Sequence, residues 1–271
     1  MSDSPPGHPE IERIVAPNPG PMTLDGTNTY VVAGASGAFV IDPGPADEAH
    51  IAAVRSAAEA HGGVEGILLT HSHLDHSEGV PMLGDAPLLW GGVGIGDESS
   101  NESGAGSPGK GWPAEPPPRV GPFEVIPTPG HSVDHVCLAL GGTLFCGDLI
   151  LGRGSSFVPP DGGSLIAYLE SLRTVLELGP ELLCPGHGPY VTDARAKVAE
   201  YIDHRLERER KLLTALAAGE RSRERLLALA WDDVPAQLRP AAAVVMEAHL
   251  EKLEAEGRLP DDLGPGSSPP H

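Results

Sequence analysis

Residues 70–76 read Thr-His-Ser-His-Leu-Asp-His, which places three imidazoles and one carboxylate in six consecutive residues. They follow a short apolar run, Gly-Ile-Leu-Leu, typical of a strand buried on both faces. In an extended segment His71 and His73 point the same way and can hold one metal ion together. Asp75 and His76 follow in a turn and can face a second ion. Imidazole and carboxylate are ordinary ligands of zinc, so the segment predicts a metal site.

Three further metal-ligating side chains stand beside predicted strands, each next to Gly or Pro. His131 follows Thr-Pro-Gly, Asp148 follows Cys-Gly, and His187 follows Cys-Pro-Gly. Gly and Pro let the backbone turn sharply and present one polar side chain. The complete set is His71, His73, Asp75, His76, His131, Asp148 and His187. Seven ligands are enough for two ions.

The elements that must position these residues alternate between strands and helices, which predicts an α/β fold. Residues 91–119 are rich in Gly, Ser and Pro and predict a long mobile surface loop. The predicted strands are 28–32, 38–41, 66–70, 86–90, 123–126, 133–140, 143–146 and 181–184, and the predicted helices are 46–60, 165–178, 198–216, 222–230 and 236–256.

The charge divides the chain in two. The net charge is −20, with 6 Lys/Arg and 24 Asp/Glu up to residue 194 but 12 of each over residues 195–258. This break predicts a catalytic module over 10–194 and a small helical or winged-helix-like domain over 195–260. Arg205, Arg208, Arg210 and Lys211 alternate with acids, so we expect a solvated, ion-paired helix face; a basic patch at the rim of the site is the alternative.

The motifs around the seven ligands resemble the metallo-β-lactamase superfamily in its dinuclear hydrolase form. The sequences at 18–21 (Asn-Pro-Gly-Pro), 24–30 and 151–156 (Leu-Gly-Arg-Gly-Ser-Ser) resemble the branch that includes a mitochondrial single-strand endoribonuclease and carries a C-terminal winged-helix-like domain. The resemblance implies a four-layer αββα sandwich. It implies two zinc ions per chain, one held by His71, His73 and His131, the other by Asp75, His76 and His187, with Asp148 bridging both.

The chemistry implied is hydrolysis by a hydroxide that bridges the two metals. Asp75 is then both a ligand and the expected proton acceptor. Ser155 and Ser156 follow Asp148 in a Gly-rich loop, where they either touch substrate or form a turn.

Four functions are compatible with these residues. The first is cleavage of single-stranded RNA, and the second is hydrolysis of a small ester or thioester, as in glyoxalase-II-like enzymes. Cleavage of β-lactams ranks lower because no secretion signal is present at the N-terminus. A metal-binding protein without turnover ranks last because the ligand set is complete. The acidic catalytic module disfavours RNA, and the basic residues after 194 mark where a polyanion would have to dock.

The composition of the chain also predicts its cellular compartment. No run approaches the roughly 20 apolar residues of a membrane span. Cys137, Cys146 and Cys184 form no close pair in sequence, which argues against a disulfide framework and for a reducing compartment. We therefore expect a cytoplasmic protein that makes no membrane contact.

Overall fold

The computed structural model describes residues 2–91 and 115–263, so most of the predicted 91–119 loop lies outside the described residues. The described residues form two β-sheets. In spatial order the first sheet contains β1 (Ser2–Asp3), β2 (Ile11–Val15), β3 (Asn28–Ala33), β4 (Ala38–Ile41), β5 (Val64–Leu68) and β6 (Leu88–Trp90). In chain order the second sheet contains β7 (Arg119–Val120), β8 (Phe123–Pro127), β9 (Val136–Leu140), β10 (Thr143–Gly147) and β11 (Leu182–Pro185), with β11 next to β10.

In the described part of the chain, six α-helices accompany the sheets. They are α1 (Glu48–Glu59), α2 (Leu74–Ser77), α3 (Leu165–Leu178), α4 (Ala194–Ala217), α5 (Arg223–Ala230) and α6 (Arg239–Ala255). Each long helix of the first two-thirds of the chain begins at a side-chain cap: Asp47 accepts from the backbone N–H of His50, and Ser164 accepts from that of Ala167. Such caps satisfy backbone donors that have no partner within the helix. Helix α3 has the bounds that its apolar spacing predicts.

The sheets and helices stack in four layers. The two sheets enclose a core that contains Tyr30, Phe39, Phe123 and Phe145, so much of the scarce aromatic content lies between them. Helix α1 covers the outer face of the first sheet, and α3 with the first half of α4 covers the outer face of the second. This confirms the predicted αββα sandwich.

Strand direction brings the candidate ligands together. Strands β4 and β5 are parallel neighbours in the first sheet, and β10 and β11 are parallel neighbours in the second. The carboxyl ends of parallel neighbours lie at one edge of a sheet, which is where α/β folds bind ligands. The segments that carry Asp42, His71, Asp148 and His187 leave the sheets at these ends.

Several predicted boundaries differ from the structure. Strand β9 begins at Val136 rather than at 133, because the preceding residues form a loop in which the Ser132 hydroxyl donates to Asp134. Strand β5 ends at Leu68, before the predicted limit at 70. Strands β1, β2 and β7 lie outside the predicted set, two of them being only two residues long.

Helix α4 connects the sandwich to the C-terminal helices. Val198 and Tyr201 in its first half belong to the core beneath α3. Leu212 and Leu216 in its second half pack with α5 and α6 in a separate core. The described residues after Pro185 contain helices and no strand. Among the described residues, no helix is long and apolar enough to cross a bilayer.

The expected solvated face of α4 is wrong for two of its four basic residues. Arg205 and Arg208 are only 2% and 4% exposed. Arg205 donates to the backbone carbonyl of Ser156, and Arg208 makes a two-pronged contact with Asp233, so hydrogen bonds offset the cost of burial. The alternation of acids and bases could not reveal this, because the side chains bury against segments distant in sequence.

The core between the sheets generates a stability prediction. Phe145 is fully buried, with its ring centroid 5.2 Å from that of Tyr30 and 5.9 Å from that of Phe123. Replacing Phe145 with Ala leaves a cavity and should lower the free energy of unfolding by about 3–5 kcal/mol in urea titrations. Leu178→Ala, at an exposed position, should change it by no more than about 0.5 kcal/mol. Equal losses in the two variants would contradict the assignment of the core.

Candidate metal centre

The residues after β5 turn directly into a short helix. His73 precedes helix α2, so Asp75 and His76 lie in its first turn, as predicted. Asp134 accepts a hydrogen bond from the backbone N–H of Ser72 at 3.0 Å and holds this turn against the loop that carries His131.

Three imidazoles meet at one point. The Nδ1 atom of His73 lies 3.0 Å from the Nε2 atom of His71 and 3.0 Å from the Nε2 atom of His131. In a tetrahedral zinc site with Zn–N distances near 2.0–2.1 Å, two ligand nitrogens stand about 3.4 Å apart. The three nitrogens are thus close to the spacing at which one ion holds them.

A second group lies beside the first. Asp75 Oδ2 is 3.5 Å from His76 Nε2 and 3.3 Å from His187 Nε2. These three atoms could hold a second ion.

Asp148 stands between the two groups. Its Oδ2 atom lies 3.3 Å from His187 Nε2 and 3.7 Å from His131 Nε2, and its Oδ1 atom lies 3.6 Å from His76 Nε2. One carboxylate therefore reaches residues of both groups. The structure brings all seven predicted ligands together.

A buried carboxylate orients two of the imidazoles. Asp42 accepts from the Thr70 backbone N–H and hydroxyl, both at 2.7 Å, and from His76 Nδ1–H at 3.0 Å. The Thr70 hydroxyl, having donated to Asp42, accepts from His71 Nδ1–H. Because Nδ1 of each ring is engaged by these hydrogen bonds, each Nε2 atom faces into the site and offers a lone pair when the ring is neutral.

Backbone carbonyls orient two more rings. His131 Nδ1–H donates to the Phe157 carbonyl at 2.7 Å, and His187 Nδ1–H donates to the Gly26 carbonyl at 3.2 Å. Their Nε2 atoms also point into the site. In the neutral form, these four rings thus have the tautomer that binds metal through Nε2.

The surroundings of His71 and His73 favour the neutral forms of these two rings. Burial, together with the neighbouring His76 and His73, lowers the pKa of His71 well below its usual value. Burial and the adjacent His131 lower the pKa of His73 to about 4. Neutral imidazole is the form that binds metal, so these rings need no deprotonation.

The second group favours positive charge. Burial opposes protonation of His76, yet Asp75, Asp148 and Asp42 together raise its pKa to about 9. Burial alone would raise the pKa of the Asp75 carboxyl. The adjacent His76 and His187 outweigh burial and lower this pKa to about 2. Buried carboxylates that hold protons on imidazoles stabilise a cation at the same place.

Unpaired atoms support the same interpretation. His76 Nε2 and Asp148 Oδ1 are buried and have no hydrogen-bond partner. A Cβ on Gly186 would lie 2.5 Å from Asp148 Oδ1 and 2.7 Å from a His76 ring carbon, so only glycine fits beside them. Buried polar atoms without partners are costly, and metal ions would satisfy them.

Family comparison identifies the chain. The model of the metallo-β-lactamase superfamily matches residues 22–87 and 94–187, and that of a β-lactamase-associated winged helix domain matches residues 222–262. The chain belongs to the metallo-β-lactamase superfamily. Its fold is that of the superfamily, it carries the associated winged helix domain, and members of the superfamily are hydrolases.

Three relatives are similar over much of the chain. A β-lactamase-like protein 2 homologue of Drosophila melanogaster is 34% identical over 92% of this chain and 89% of its own length. An atrochrysone carboxyl ACP thioesterase of Aspergillus chevalieri is 36% identical over 77% of this chain and 66% of its own. The solved structure of TTHA1623 in a di-iron-bound form is 31% identical, covers 68% of this chain and 96% of that one, and superposes with a TM-score of 0.52.

The two candidate substrate residues differ in their surroundings. Ser155 is exposed, whereas Ser156 is buried and its hydroxyl donates to the backbone carbonyl of Asp148. Their contact with substrate stays a prediction. Cys146 is fully buried and its thiol faces the carbonyl of Ile150.

Two contributors to the superfamily site escape sequence reasoning. Asp42 reads only as the end of a strand, although an Asp directly after a buried strand, like Asp148, is a signal for a site residue. Its backbone has φ of +50°, a region in which Asp is better tolerated than most residues. Asn28 donates to the carbonyls of Pro185 and Gly188, which fixes the turn that presents His187. No spacing rule links residues so far apart in the chain.

Asp42 generates a prediction. In Asp42→Asn an amide N–H₂ group replaces one carboxylate oxygen. Because this group donates and does not accept, at least one of the hydrogen bonds from Thr70 and His76 to residue 42 is lost. We expect the affinity for Zn²⁺ to fall roughly 10–100-fold, measured by competition with a chromogenic chelator.

Asp47→Asn is the matched control, because Asn caps helix α1 as well as Asp does. Its zinc affinity should equal that of the wild type. An unchanged affinity in Asp42→Asn would show that Asp42 does not orient the site.

Proposed function

We propose that this chain is a dinuclear zinc hydrolase that cleaves small acyl thioesters or esters. The observation that carries the proposal is the pair of ligand groups joined by Asp148. The similarity to a thioesterase supports the substrate class. The catalytic module would span 10–194 and the C-terminal domain 195–260.

The ligand assignment follows from the two groups. His71, His73 and His131 would hold one ion, Asp75, His76 and His187 the other, and Asp148 would contact both. When bound, two such ions lower the pKa of a water and polarise an acyl oxygen. The imidazole and carboxylate donors suit zinc and also iron, the metal named for the solved relative.

Asp75 is the residue best placed to accept a proton. Its side chain is 31% exposed, whereas that of His76 is fully buried, so Asp75 faces the open side of the site. With a pKa of about 2 it is a carboxylate at neutral pH. The Thr27 hydroxyl donates to its Oδ2 atom at 3.3 Å and holds it in place.

Electrostatics favour a small substrate over RNA. Ion pairs with carboxylates engage nine of the twelve basic residues of 195–258, namely Lys197, Arg208, Arg210, Lys211, Arg221, Arg223, Arg225, Lys252 and Arg258. Arg205 is buried. A polyanion docking on this domain would have to displace those acids, and the catalytic module is itself acidic.

Cleavage of single-stranded RNA is the second candidate. The motifs at 18–21 and 151–156 resemble the endoribonuclease branch, and a winged helix domain follows the catalytic module as it does there.

The compartment is proposed on separate grounds. All three cysteines are buried and free. Free thiols are typical of a reducing compartment, which supports the cytoplasm.

Asp75 supplies the first test of function. The purified zinc-loaded chain should hydrolyse an acyl thioester faster than single-stranded RNA or a β-lactam. Asp75→Asn should lower kcat/KM on the thioester roughly 10²–10⁴-fold, because the proton acceptor and one ligand are lost. Glu78→Gln, in the same segment and exposed, should retain wild-type kcat/KM.

Cleavage of RNA without cleavage of the thioester would overturn the proposed substrate class and favour the second candidate. Equal activity of Asp75→Asn and Glu78→Gln would overturn the role of Asp75.

Metal removal supplies the second test. Dialysis against a chelator should abolish hydrolysis, and titration with Zn²⁺ should restore it with an end point near two ions per chain, read by activity and by elemental analysis. Full activity in the metal-free chain would contradict a metal-dependent hydrolase. Restoration by Fe²⁺ but not by Zn²⁺ would replace zinc by iron in the proposal.

A further inference from the structure

The segment from residue 148 to residue 157, here called the Asp148 loop, touches the candidate metal centre at both ends. At its start lies Asp148, the carboxylate between the two ligand groups. At its end the carbonyl of Phe157 accepts the hydrogen bond that fixes the ring of His131. The shape of this loop therefore sets the position of two of the seven ligands.

Helix α4 holds the Asp148 loop from outside the sandwich. The Arg205 guanidinium donates to the Ser156 carbonyl, and the Ser156 hydroxyl donates to the Asp148 carbonyl. Two steps thus connect Arg205 to the backbone of the bridging carboxylate. The Leu151 backbone N–H also donates to the hydroxyl of Tyr201 on the same helix, at 3.0 Å.

The environment of Arg205 is costly for a residue with a purely structural role. The side chain is 2% exposed, and within the described part of the chain no carboxylate forms an ion pair with it. Its compensation is the Ser156 carbonyl and the face of the Tyr168 ring, 5.2 Å away. An apolar side chain would fill such a position at less desolvation cost. The presence of a guanidinium here is therefore explained by its hydrogen bond to Ser156, which fixes the Asp148 loop.

We propose that Arg205 is a positioning residue through which helix α4 sets the geometry of the metal centre. This inference rests on the proposed function, since it requires the seven ligands to hold metal. Arg205 acts on Asp148 through Ser156 and on His131 through the adjacent Phe157 carbonyl. The C-terminal segment is then part of the metal centre's support rather than an appended module.

The chain contains a matched control three residues away. Arg208 is also buried, also donates to a backbone carbonyl, that of Ala230, and also lies over an aromatic ring, that of Trp231 at 5.5 Å. Its partners belong to the C-terminal helices and not to the Asp148 loop. Arg208 also pairs with Asp233, so Arg208→Met removes at least as many structural contacts as Arg205→Met without touching the loop.

The test compares the full-length wild type with Arg205→Met, Arg205→Lys and Arg208→Met. The probes are Zn²⁺ release to a chromogenic chelator and the visible absorption spectrum of the Co²⁺-substituted chain, which reports ligand geometry. Thermal unfolding of the metal-free proteins measures the structural cost of each change.

We expect Arg205→Met to release Zn²⁺ roughly 10–100-fold faster than wild type and to shift the Co²⁺ spectrum. Arg205→Lys, which keeps a donor and a cation over Tyr168, should recover most of both properties. Arg208→Met should lose comparable thermal stability with wild-type zinc release and spectrum.

Two results overturn the inference and are distinguishable. If the wild type binds both ions but Arg205→Met matches Arg208→Met in release rate and spectrum, Arg205 is structural only. If the wild type binds neither Zn²⁺ nor Co²⁺ at the seven ligands, the proposed function fails and the inference fails with it. If Arg205→Met does not fold, Ser156→Ala, which cuts the same connection without removing a buried cation, should reproduce the faster release; wild-type release would again overturn the inference.

Discussion

Converging lone pairs are the constraint on which the rest of this structure depends. The Nε2 atoms of His71 and His131 each lie 3.0 Å from the Nδ1 atom of His73. The Nδ1 atoms of His71 and His131 make hydrogen bonds directed away from the site. Neutral nitrogens this close repel one another unless a proton or a metal ion lies between them. Holding these nitrogens together without a proton or metal ion requires rigid surroundings. Residues at four strand ends supply that rigidity.

The candidate ligands are held in place by groups outside the set of seven. Asp42 ties the ends of β4 and β5 to two imidazoles, and Asn28 ties the start of β3 to the turn after β11. Backbone carbonyls fix the rings of His131 and His187, and Gly186 leaves room where a Cβ would collide with ligand atoms. Because outer hydrogen bonds set tautomer and orientation, changes at these positions should affect metal binding as changes at the ligands do.

Much of the sandwich and the clustering of the seven candidate ligands were predictable from the sequence. Apolar runs ending in Gly, Pro and one polar residue mark the strand ends, and the HxHxDH spacing marks four of the seven candidate ligands. The hydrogen bonds of Asp42 and Asn28 were not predictable, because their partners are remote in the chain. Arg205 and Arg208 were misread as solvated for the same reason: alternating charge indicates an exposed face only when nothing packs against it. The substrate could not be predicted from the sequence, because metal ligands define the reaction more closely than they define which molecule enters the site.

Anomalous diffraction from crystals of the zinc-loaded chain, recorded on both sides of the zinc absorption edge, tests the central claim most directly. We expect two zinc peaks roughly 3.5–4 Å apart. One should be bounded by His71, His73 and His131, the other by Asp75, His76 and His187, and Asp148 should contact both. A map without zinc at these residues, or with zinc only elsewhere in the chain, would contradict that claim.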